Sequence, residues 1–78
     1  MAKSAEDVLK TAEKFRLSGE ITDEQFAKVK AAYNALRTVE RLIVEGRTGG
    51  TLLALSTKMA DLAAAAAEIG VAFNTGGK

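Results

Sequence analysis

The chain offers a helix few places to stop. It contains no proline, and from Glu20 to Glu45 it contains no glycine either. Proline and glycine are the residues that end helices, so their absence over a long run constrains the fold more than any other feature. β-Branched runs are few and alanine is abundant, which favours helix again. Glycine returns at Gly46, Gly49 and Gly50, within "VEGRTGGTLLAL". That stretch is the natural corner between two long helices.

Capping signals place the helix starts. In "SAED", Ser4 can accept from the amide of Asp7, and the acids suit the positive end of a helix. Ala5, Val8, Leu9, Ala12 and Phe15 follow on one face, and Gly19 ends the run. "ITDEQF" reads as a capping box, with Thr22 as cap and Gln25 as its partner. Ile21 and Phe26 sit at the positions of a hydrophobic staple. The third helix is read as starting at Thr51 and running to Asn74.

These signals predict an all-α fold of three helices, at about 5–18, 23–45 and 51–74. The second and third should form a long antiparallel hairpin, with the short N-terminal helix folded against it. The whole of 1–78 reads as one helical domain, and 75–78 as a flexible tail. A domain of this size rarely buries a comfortable core alone. With neither cysteine nor histidine, the common staples of disulfide and zinc are absent from the sequence.

Oligomerisation is therefore the expected completion. Leu52, Leu55, Met59, Leu62, Ala66, Ile69 and Phe73 recur at alternating steps of three and four, an a/d line. The remaining faces of the third helix are mostly alanine. A helix apolar or small on most sides should be buried on most sides. The a/d line is accordingly read as the surface through which copies associate.

Charge narrows the function. Eleven basic and ten acidic residues leave a net charge of +1, without the basic excess of a dedicated nucleic-acid binder. Lys30, Asn34, Arg37 and Arg41 do share a face of the second helix and could meet phosphates or an acidic partner. No aromatic residue interleaves them to stack bases. "GRTGGT" has the ingredients of an anion nest, with Arg47 as its charge. It lacks the spacing and the lysine of a phosphate-binding Walker loop. No nucleophile, base and orienting group can be assembled, so neither catalysis nor a cofactor nor a metal is expected. The N-terminus turns polar too early for a signal peptide, and no stretch is apolar enough to span a bilayer. The expected setting is cytoplasmic or virion-associated.

"FRLSGEITDEQFAKVKAAY" resembles the short C-terminal domain known as SHOCT. Gly19, Ile21, Thr22, Glu24, Phe26 and Lys30 stand at the positions of that pattern, over about the first half of the chain. The resemblance implies a helical interaction or oligomerisation module without catalysis. A calcium-binding loop is the other look-alike, but residues 14–18 lack the spaced acids it needs.

The expected function is that of a non-enzymatic protein–protein interaction module that self-associates through its third helix. Small adaptors, phage-type inhibitors and minor virion components share this profile. The alternative is an oligomer that binds a phosphorylated ligand such as a nucleotide, through gathered Arg47 loops or the basic stripe. Weak nucleic-acid binding ranks below both.

Overall fold

A computed structural model describes residues 3–73. Three helices follow one another: α1 (Ala5–Leu17), α2 (Asp23–Glu45) and α3 (Leu52–Glu68). The first two lie where their caps place them. Ser4 Oγ accepts from the Asp7 amide at 3.3 Å. At α2 the box is reciprocal: Gln25 N–H donates to Thr22 Oγ1 at 3.0 Å, and Thr22 N–H donates to Gln25 Oε1 at 2.9 Å. Thr51 caps α3 by accepting from the Ala54 amide at 3.0 Å.

All three helices end in one way. A glycine takes a left-handed conformation, at Gly19 (φ 80°), Gly46 (φ 66°) and Gly70 (φ 79°). The next amide reaches back five residues: Glu20 to Phe15 (2.8 Å), Arg47 to Leu42 (2.9 Å) and Val71 to Ala66 (2.9 Å). This is the Schellman closure, which satisfies carbonyls that the helix end would orphan.

The third stop corrects the sequence reading. α3 does not run to Asn74; it ends at Glu68, because Gly70 closes it. Val71 then turns inward and is buried, which supplies the apolar contact that accompanies this motif. Phe73 is not on α3 at all. It lies in an extended segment that forms a parallel bridge with Lys3, whose amide donates to the Ala72 carbonyl at 2.8 Å. The tail expected at 75–78 lies outside the described residues.

α2 and α3 form the main pair, and α1 packs chiefly on α2. Their antiparallel sense shows at both ends. Gly50 approaches the last turn of α2 so closely that a Cβ there would stand 2.6 Å from the Ile43 nitrogen. At the other end, Lys28 Nζ lies 3.5 Å from Glu68 Oε1.

The core draws on every element: Val8 and Ala12 from α1, Val29 and Leu36 from α2, Leu62, Ala65 and Ala66 from α3, and Val71. No polar or charged side chain is buried among the described residues. Burying one side chain such as Leu62 contributes about 2 kcal/mol. Exposed ion pairs contribute at most about 1 kcal/mol each. Apolar packing of three small faces is what holds this fold together.

Candidate interaction surface

The a/d line of α3 faces the chain's own core. Leu62 and Ala66 are completely buried there. Leu55, Met59, Ile69 and Phe73 are half-buried and pack against the same cluster. Only Leu52, at 78% exposure, points to solvent. Leu62 and Ala66 are therefore enclosed within the chain and cannot join one copy to another, and Leu55, Met59, Ile69 and Phe73 present only part of their surface. The hairpin and the returning C-terminal segment already occupy that seam.

The exposed side of α3 is a different line. Leu53 is 78% exposed, and Thr57, Ala60, Ala64 and Ala67 are exposed below it. Asp61 and Glu68 stand at one edge. Toward the other edge, a shallow groove of about 490 Å³ runs past Leu52, Ser56, Met59 and Ala63. The signal for this line was in the sequence: Leu53, Ala60 and Ala67 recur every seven residues. Its small side chains made it read as filler beside the bulkier a/d line.

The glycine corner is accounted for by turn chemistry. Gly46 closes α2, Gly49 takes a φ of 94°, and Gly50 permits the close approach to α2. The amides of Gly46, Arg47, Gly50 and Thr51 donate to carbonyls of Ile43, Leu42, Arg47 and Gly49. Those four donors are spent within the turn and cannot converge on an anion. Arg47 Nε lies 2.9 Å from Glu45 Oε1, so its charge also has a local partner.

The basic stripe is brought together as expected. Lys30, Asn34, Arg37 and Arg41 are all exposed on the outer face of α2. Arg37 Nη1 lies 3.3 Å from Glu40 Oε1. Asp23 and Glu45 continue the same line at either end, by a spacing of seven and of four. Acids thus close both ends of the stripe, and Tyr33 is turned toward the core cluster rather than onto this face. Among the described residues no group of three or more carboxylates forms a metal-sized cluster. No helix among them is long and apolar enough to cross a membrane.

At the α1–α2 corner Arg16, Asp23 and Phe26 build one tight junction. The Arg16 guanidinium lies 4.8 Å from the Phe26 ring centre, and its Nη1 lies 3.6 Å from Asp23 Oδ1. Ile21 and Phe26 pack against the core from there. Compared with known protein families, curated proteins and solved structures, the chain matches none of them.

Proposed function

We propose that this chain is a non-enzymatic helical interaction module that self-associates through α3. It does so by the outward line that begins at Leu53, leaving the basic face of α2 to meet a protein partner. The observation that carries this reading is the pair Leu52 and Leu53, both 78% exposed at the head of an otherwise small-residue face. Burying each in a contact would gain about 1.5–2 kcal/mol. A domain this small has a marginal core, so such a gain is a substantial share of its total stability.

Area sets the strength to expect. α3 has 17 residues and is about 25 Å long, so half its side wall offers roughly 550 Å² per copy. Two copies would bury about 1,100 Å², just below the usual range for a stable complex. The association should therefore be weak and concentration-dependent.

Light scattering behind size exclusion tests this directly. A mass that rises toward a dimer between ten and several hundred micromolar supports the reading. A monomer throughout that range overturns it. Ala60→Glu places a charge on the exposed line without touching the core. It should abolish the rise while leaving the helical circular-dichroism spectrum unchanged.

A further inference from the structure

We infer that the strap Val71–Phe73 fills, within its own chain, one end of a docking groove for an extended segment of a partner protein, one with apolar side chains at alternate positions. This site needs no second copy and goes beyond the proposed self-association. The strap itself displays the chemistry that the groove accepts.

Past Gly70 the side chains alternate. Val71 is buried, Ala72 is exposed, and Phe73 packs against the core cluster. That is the pattern of a strand laid on an apolar surface. Its backbone partner is Lys3, whose amide donates to the Ala72 carbonyl at 2.8 Å. Adding a strand by main-chain pairing, with pockets for alternate side chains, is a general way to hold a peptide. Here the chain holds a piece of itself in that way.

The groove is longer than this occupant. A space of about 410 Å³ adjoins Phe73, lined by Ser4, Ala5, Leu36, Glu40, Leu55 and Met59. The bridge to Lys3 is parallel, so an extended segment seated like the strap and continuing in the same sense passes Ser4 and Ala5 into that space. An apolar side chain two residues beyond the phenylalanine position would pack there against Leu36, Leu55 and Met59. The sequence after Phe73, Asn-Thr-Gly-Gly-Lys, supplies none. A partner segment with three alternating apolar residues therefore fills the groove better than the strap does with two.

The strap is also lightly fastened. Among the described residues a single backbone hydrogen bond joins it to Lys3. Its hinge, Gly70, has open space about it, with nothing within 4 Å of where a Cβ would stand. Release of the strap therefore needs no movement of the helices.

The probe is a capped, fluorescein-labelled peptide, Ile-Gly-Val-Ala-Phe-Ala-Leu, followed by anisotropy as protein is added. In the parent the strap competes, and apparent affinity is lowered to the fraction of chains whose groove is open. Phe73→Ala weakens that tethered competitor and should raise the affinity about tenfold or more, with the helical circular-dichroism spectrum retained. A peptide of the same composition with valine and phenylalanine adjacent cannot turn both toward the groove, and should bind this variant about tenfold more weakly. Equal affinity of parent and variant, or of the two peptides, overturns the inference. Should Phe73→Ala unfold the chain, the parent strap can be read directly. Ala72 is exposed and the chain has no cysteine, so a nitroxide on Ala72→Cys reports the strap without touching its seat. Millimolar peptide should free the strap and sharpen the spectrum; an unchanged spectrum overturns the inference. Dipolar broadening that grows with protein concentration alone would mean straps exchanged between copies, and would overturn a partner segment as the occupant. A chain that stays monomeric loses the self-association reading and not this one.

Discussion

The inward side of α3 carries Leu55, Met59, Leu62, Ala66 and Ile69; the outward side carries Leu53, Thr57, Ala60, Ala64 and Ala67. Both lines step by four, three, four and three. The first packs into or against the core, and the second stands in solvent. Periodicity alone does not separate them. Volume does: the inward line carries the large side chains that can fill space against α2, and the outward line shrinks to a methyl group. A heptad pattern in a short domain announces a seam, and the bulkier seam is claimed first by the chain's own helices.

The same substitution on the two sides should test this contrast most sharply. Ala66→Glu puts an unpaired charge at a completely buried position. It should cost several kcal/mol, enough to abolish the cooperative melt of so small a domain. A normal melting curve would show that Ala66 is not enclosed. Next in size is Leu62→Ala, expected to cost 2–5 kcal/mol in urea unfolding through the lost burial and the cavity left behind. A loss below about 1 kcal/mol would contradict its full burial. Gly70→Ala should cost about 1 kcal/mol, since alanine resists the left-handed angle that ends α3. If it instead stabilised the chain and raised helicity, the helix would have to continue past Glu68. The smallest effect belongs to the outward side. Leu53→Ala and Ala60→Glu should change unfolding free energy by no more than about 0.5 kcal/mol in dilute solution. A larger loss there would mean that both sides of α3 are internal.

Much of the architecture was legible because caps are local. Ser4, Thr22 and Gln25 each act within three residues, so the starts of α1 and α2 follow from short strings. Gly19 and Gly46 stop helices where the apolar pattern also breaks. Gly70 stops one where the pattern carries on, through Ile69 to Phe73. Periodicity alone continues the helix through Gly70, whose left-handed backbone in fact ends it. The returning segment depends on Lys3 meeting Ala72, a pairing between the two far ends of the described chain that no local string encodes. The surface was less legible than the fold. The stripe of α2 could be placed by spacing alone. Whether Arg47 was free depended on where Glu45 would point, and that is a side-chain matter.

The bridge between Lys3 and Phe73 has a kinetic consequence. α2 and α3 are joined by a short corner, so their hairpin can form through local contacts alone. The Lys3–Ala72 hydrogen bond must wait for almost the whole described chain to be drawn together. Closing a long loop carries an entropic cost that local contacts escape, and contacts of that kind set folding speed. The clasp should be the last part to form and the first to open. In native-state hydrogen exchange the Lys3 amide should lose protection well below the free energy of global unfolding, while the amides of Val29 and Leu62 hold to the end.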